Sequence, residues 1–133
     1  MAKLPSVREY MDTRPLNLRT DTPILDAVDF LLENHITGAP VVDDEGQIVG
    51  LLSEKDCLRL IARGVGADTP KGSVGDFMAT ELSTIDPDMN IYFAAGVFLS
   101  HTMRRLPVVD KGKLIGVITR FDILRAIHNG LPR

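Results

Sequence analysis

Arg104-Arg105-Leu106-Pro107-Val108-Val109-Asp110-Lys111-Gly112-Lys113-Leu114-Ile115-Gly116-Val117-Ile118-Thr119-Arg120-Phe121-Asp122 reads as two short apolar runs around a polar turn with a glycine, followed by a helix start. Runs of this kind joined by a few residues predict a β-hairpin. Thr119-x-x-Asp122 is a helix N-terminus signature. The chain writes this pattern twice. Ala39-Pro40-Val41-Val42-Asp43-Asp44-Glu45-Gly46-Gln47-Ile48-Val49-Gly50-Leu51-Leu52-Ser53-Glu54-Lys55-Asp56 has the same order of apolar run, turn, apolar run and Ser-x-x-Asp.

The duplication extends outward from the hairpins. Val7-Arg8-Glu9-Tyr10-Met11 answers to Val74-Gly75-Asp76-Phe77-Met78 at an offset of 67 positions, as do Ile24 to Ile91, Ala27 to Ala94 and Pro40 to Pro107. After the turn the offset falls to 66, pairing Gly46 with Gly112, Gly50 with Gly116 and Asp56 with Asp122. One residue is lost in a loop, where deletions are tolerated best. The expected organisation is a first repeat over 5–64, a linker over 65–73 and a second repeat over 74–130.

Each repeat is expected to open with a short segment ending at Met11 or Met78, then a brief extended piece around Leu16–Leu18 or Ser83–Ile85. A helix follows. In the first repeat Thr22 suits the N-cap, Pro23 the first helical position, and Ile24, Leu25, Val28, Leu31 and Leu32 one apolar stripe. In the second repeat the helix is expected from about Asn90 to Met103, apolar nearly all round, which predicts burial on more than one side and hence an oligomer contact. The hairpin and a closing helix end each repeat, with Gly64 and Gly130 just past the closing helices.

A chain of 133 residues is one compact domain, or two small halves sharing a core. With 44% hydrophobic and 25% charged residues it is an ordinary globular composition. A net charge of −3 gives no basic footprint and argues against binding nucleic acid as a polymer. The single cysteine, Cys57, excludes an intrachain disulfide and aligns with Ile123 as a small core residue. No apolar run reaches the length of a membrane span, and Met1 to Pro5 do not resemble a signal peptide, so no membrane insertion and a cytoplasmic location are expected.

Two copies of strand–helix–strand–strand–helix, each with Pro-Val-Val-Asp and Gly-x-x-[Ser/Thr]-x-x-Asp, resemble a pair of cystathionine-β-synthase (CBS) domains, a Bateman module. The resemblance covers about residues 5–130. It implies an α/β (α+β) fold of two tandem β-α-β-β-α repeats, packed through their sheets with pseudo-two-fold symmetry. It further implies clefts between the repeats for an adenine nucleotide or other adenosyl ligand, and a homodimer. The implied ligands are AMP, ADP, ATP, S-adenosylmethionine or NAD, with no cofactor required.

Carried onto this chain, the resemblance implies ligand contacts from Ser53, Asp56, Thr119 and Asp122 toward a ribose, and from Pro40, Val41, Pro107 and Val108 along an adenine slot. Thr84 and Ile85 match a first-strand position that touches ligand, where the first repeat has Asn17 and Leu18. Arg104 and Arg105, standing where the first repeat has Thr37 and Gly38, are phosphate candidates. A carboxylate suits a vicinal diol because each charge-assisted hydrogen bond contributes roughly 1.5–3 kcal/mol. Ser/Thr-x-x-Asp is equally a helix cap that needs no ligand. Likewise the valines suit a core strand and adjacent arginines a solvated edge.

The sequence holds no Walker loop, dinucleotide fingerprint, nucleophile elbow or His/Cys metal spacing, so a non-enzymatic chain is expected. The leading reading is a regulatory sensor that passes ligand occupancy through dimer conformation to an unidentified regulated protein. The alternative is a structural, dimerising interaction module with no functional small-molecule ligand.

Overall fold

The structure is a computed structural model that describes residues 4–63 and 71–130. In chain order the elements are α1 (Val7–Tyr10), β1 (Leu18–Arg19), α2 (Ile24–Glu33), β2 (Gly38–Val42), β3 (Ile48–Ser53) and α3 (Glu54–Arg63). The second set is α4 (Val74–Phe77), α5 (Ile91–Leu99), β4 (Arg105–Asp110), β5 (Lys113–Thr119) and α6 (Arg120–Gly130). Most of the expected linker, together with Gly64, lies outside the described residues.

The chain divides into two compact units: Leu16–Leu82, and Met1–Pro15 with Ser83–Arg133. These are not the sequence repeats. The opening segment of each repeat folds onto the hairpin of the other. Asp12 exchanges two backbone hydrogen bonds with Val117 of β5, at 2.9 and 3.0 Å. Ala79 does the same with Leu51 of β3, at 2.9 Å each. The neighbouring bonds repeat too: Val7 N–H donates to Met89 O and Arg8 N–H to Pro87 O, as Val74 N–H donates to Thr22 O and Gly75 N–H to Thr20 O. Each segment thereby covers a sheet edge that would otherwise offer unpaired backbone groups.

Within each unit the sheet follows one plan. β1 pairs in parallel with β2, setting Leu18 against Val41, and β2 pairs antiparallel with β3. In the other unit Ile85 makes a single parallel bridge to Val108 of β4, which pairs antiparallel with β5. Both hairpins carry a register shift at the same place, Val41/Val42 and Val108/Val109. The lost residue lies in the turn. Asp43 holds the longer first turn by accepting from the N–H groups of Glu45 and Gln47, whereas Lys111 and Gly112 make a tight turn with φ of 52° and 84°.

Buried apolar residues form one cluster per unit rather than a single shared core. One gathers Val7, Ile85, Ile91, Phe98, Leu106, Val108, Ile118 and Ile123. The other gathers Leu18, Ile24, Leu31, Ala39, Val41, Leu52, Leu60 and Val74. Val7 and Val74 show that the exchanged segments contribute to the cores they cross over to.

Several local expectations change. Pro23, not Thr22, is the N-cap residue of α2, with no side-chain cap. Instead the Ile24 N–H donates to Gly72 O, and Thr22 O accepts from Val74, so backbone pairing with the crossing segment replaces the cap. The buried stripe of α2 is Ile24, Ala27 and Leu31, with Leu25 and Leu32 exposed. α5 is capped by Asn90, whose side chain accepts from Phe93 N–H, but ends at Leu99 rather than Met103. Gly130 is the last residue of α6, not one beyond it.

Gly116 and Gly50 face the crossing segments. A Cβ at Gly116 would stand 2.8 Å from Asp12 O and 2.6 Å from Met11 Sδ; one at Gly50 would meet Met78 Sδ and stand 3.0 Å from Ala79 O. Backbone on one side leaves little room to relax. Gly116→Ala and Gly50→Ala are therefore each expected to destabilise the chain by about 1–3 kcal/mol, read as a lower thermal midpoint. An unchanged midpoint would mean that the segments are not seated against these glycines.

Candidate functional site

The hairpin-to-helix junction has the same construction in both units. At the start of α3, Ser53 donates from its N–H (2.8 Å) and Oγ (3.0 Å) to Asp56 Oδ2. At the start of α6, Thr119 donates from its N–H (2.8 Å) and Oγ1 (3.0 Å) to Asp122 Oδ2. The Asp122 N–H also donates to Thr119 Oγ1 at 3.2 Å. The capping reading of Ser/Thr-x-x-Asp is therefore realised in both copies.

A third copy isolates what capping alone requires. Ser73 N–H and Oγ donate to Asp76 Oδ2 at 2.9 and 3.2 Å at the start of α4, an exposed position. The other two carboxylates differ from it in burial and in charge partner. The Asp56 side chain is 7% exposed and that of Asp122 15%. Each has its Oδ1 at 3.4 Å from an arginine one turn on: Nη1 of Arg59 for Asp56, and Nη2 of Arg125 for Asp122. Burying a carboxylate is costly unless it is paired and hydrogen-bonded. These two meet both conditions. The arginines were not among the sequence candidates, although Asp-x-x-Arg at 56–59 and 122–125 was there to be read.

The strands divide the remaining candidates by face. Successive strand residues point to opposite sides of a sheet. Val41, Val108, Ile85 and Leu18 are buried in the two cores, so their side chains are not offered to a ligand, and the Ile85 N–H and carbonyl are already paired with Pro107 and Val109. Pro40 and Pro107 alternate with those valines and take the other face. Arg105 lies directly across the ladder from Thr119, on the face it shares with Pro107. Thr84, beside Ile85, is exposed, as is Arg104, whose carbonyl accepts from Arg120 N–H at 3.3 Å. In the other unit Gly38 takes the place across from Ser53. One junction thus has a cation alongside it and its counterpart has none at the matching position.

Among the described residues no group of three or more His, Cys, Asp or Glu side chains is placed to hold a metal ion. Among the same residues, no helix is long and apolar enough to cross a membrane.

Two α+β units, each with a glycine-backed hairpin running into a carboxylate-capped helix, define a tandem-repeat module. The chain belongs to the CBS domain family, whose pattern matches residues 7–63 and 74–129. It is 31% identical to the CBS domain-containing protein YhcV of Bacillus subtilis over 90% of this chain and 84% of that protein. It is 32% identical to the A-adding tRNA nucleotidyltransferase of Aquifex aeolicus over 96% of this chain, yet spans only 15% of that enzyme's length. Its fold superposes on the crystal structure of CBSX2 in complex with AMP with a TM-score of 0.80 and 35% identity, covering 93% of this chain and 96% of that one.

Cys57 is half-buried beside Asp56 and packs against the core of its unit, as expected of a small core residue. Burial raises its thiol pKa above the ordinary value, and the negative charge of Asp56 adds to the shift. The thiol is thus protonated, and a poor nucleophile, across the neutral range. Alkylation by iodoacetamide followed from pH 7 upward is expected to reach half its maximal rate at a higher pH than for a free cysteine. Asp56→Asn should bring that midpoint part of the way back. A midpoint at or below the free-thiol value would contradict the assignment.

Proposed function

We propose that this chain is a regulatory ligand-sensing module that binds an adenine nucleotide or related adenosyl ligand at its two hairpin–helix junctions and does not turn it over. The observation that carries the proposal is the paired junction. Two carboxylates, Asp56 buried and Asp122 partly buried, have Oδ2 held by a cap and Oδ1 turned toward an exposed arginine. Such a carboxylate is already oriented to accept from the vicinal hydroxyls of a ribose, so little ordering is lost on binding. The CBSX2–AMP complex supports the ligand class. In this reading Pro40 and Pro107 flank the base, with backbone groups of Leu18, Val41 and Val108 and the Thr84 side chain beside them. Arg105, with Arg104 next to it, meets phosphate oxygens at the Thr119–Asp122 junction. That junction is then the stronger site for a phosphorylated nucleoside. The cytoplasm is the proposed compartment.

A thermal-shift panel of AMP, ADP, ATP, S-adenosylmethionine and NAD tests this directly. A ligand at 100 times its dissociation constant adds about 2.7 kcal/mol and moves the midpoint by several degrees. Asp122→Asn and Asp56→Asn retain an oxygen for the cap. Each is expected to weaken binding at its own junction roughly 10–100-fold, about 1.4–2.8 kcal/mol. A panel without any shift would favour the alternative of an interaction module.

The exposed apolar helix faces support a homodimer as the form that transmits occupancy. On α5, Phe93 is 65% and Leu99 89% exposed, and Phe121 and Leu124 of α6 are exposed as well. Leu58 and Ile61 of α3 repeat this in the other unit. Contiguous exposed side chains of this kind mark association surfaces. Sedimentation velocity should show a dimer for the native chain and a monomer for Phe93→Asp. A monomeric native chain would remove the dimer from the proposal.

A further inference from the structure

Arg125 makes three contacts at once. Its Nη2 donates to Asp122 Oδ1 at 3.4 Å and to Tyr10 O at 3.2 Å, and its guanidinium carbon stands 5.7 Å from the centre of the Tyr10 ring. Tyr10 ends α1, in the segment that the first repeat contributes to this unit. The next residues, Met11 and Asp12, lie against Gly116, and Asp12 pairs with Val117, two positions before Thr119. The contacts therefore close a ring from Asp122 through Arg125, Tyr10 and Asp12 to β5 and back to Thr119. The first repeat's junction shares the cap but not these arginine contacts. Among the described residues Arg59 has its hydrogen bond and ion pair to Asp56 only, and the position equivalent to Tyr10 is Phe77.

We propose that Arg125 is a positioning residue that couples occupancy of the Asp122 junction to the docking of the N-terminal segment, a coupling that the Asp56 junction lacks. The coupling rests on the ligand reading given above. One guanidinium nitrogen divides its two N–H groups between a carboxylate oxygen and a backbone carbonyl. When hydroxyls of a bound ribose donate to Asp122 Oδ1, they compete with Nη2 for that oxygen. The guanidinium then turns its donor toward Tyr10 O while its face stays over the ring, and α1 is held more firmly. By linkage, a firmly docked segment favours the ligand to the same extent. The segment is the part of this unit that comes from the other repeat, so occupancy of one junction is reported on the first repeat's chain.

Hydrogen exchange of the full chain, read on residues 7–12 and 74–79, tests the tether and the coupling separately. Without ligand, Arg125→Gln should speed exchange over 7–12, while Arg59→Gln leaves 74–79 as in the native chain. Native-like exchange over 7–12 in Arg125→Gln would overturn the tether. Saturating AMP, with binding confirmed by thermal shift in the same samples, should slow 7–12 about fivefold or more, the lower end of usual site-to-site couplings. Arg125→Gln should abolish that slowing while still binding AMP. Bound AMP that leaves 7–12 unchanged, or slows it equally in Arg125→Gln, overturns the coupling but not the ligand reading. If AMP fails to bind, the panel ligand that does bind takes its place; failure of the whole panel overturns the ligand reading and the coupling with it, whereas the ligand-free comparison still decides the tether.

Discussion

The contact on which the rest of this structure depends is the two-bond backbone pairing of Asp12 with Val117, repeated by Ala79 with Leu51. Backbone can approach backbone this closely only because Gly116 and Gly50 have no side chain. From it follow the covered sheet edges, the placement of Val7 and Val74 in cores beyond their own repeats, and the seating of Met11 and Met78. Each unit is thus completed by a segment of the other repeat. An isolated repeat would lack this edge bridge and a core valine, so the duplication is obligatory for the fold as observed.

The same strands carry the candidate site. Gly116 precedes Thr119 by three residues and Gly50 precedes Ser53 by three, so a residue that admits the crossing segment stands one step from the helix cap. Cap and site share one carboxylate without conflict because it has two oxygens. Oδ2 is taken by the Ser or Thr backbone and hydroxyl, and Oδ1 faces a partly exposed arginine. Ser73 and Asp76 have the cap geometry at an exposed position. Spacing alone therefore does not make a site. Burial and a second charge are what set Asp56 and Asp122 apart.

Much of this was legible in the sequence, because the signals were local and written twice. Hairpins, the helix start at Asn90, the lost turn residue and the extended pieces reaching Leu18 and Ile85 follow from period, turn chemistry and caps. The crossing of the opening segments was not legible. A tandem repeat has the same pattern whether Met11 docks on its own hairpin or on the other, and only three-dimensional closure selects one. Thr22 was misjudged as a cap for the same reason, since the partner of the Ile24 N–H comes from Gly72, far along the chain. In the candidate site the motif was legible and the strand faces were not. Asp56 and Asp122 stood out through their motif, but pairs such as Pro107 and Val108 were taken together although strand alternation sends them to opposite faces. Arg59 and Arg125 were passed over because a charge on an amphipathic helix reads as solvent-facing.

The central claim is that the paired carboxylates recognise a ribose diol. Calorimetric titration of the native chain with AMP and with 2′-deoxy-AMP tests it without altering the protein. The account predicts saturable binding of AMP and at least about tenfold weaker binding of the deoxy analogue, the loss of one charge-assisted hydrogen bond. Equal affinities would contradict it, for then neither Asp56 nor Asp122 holds the sugar.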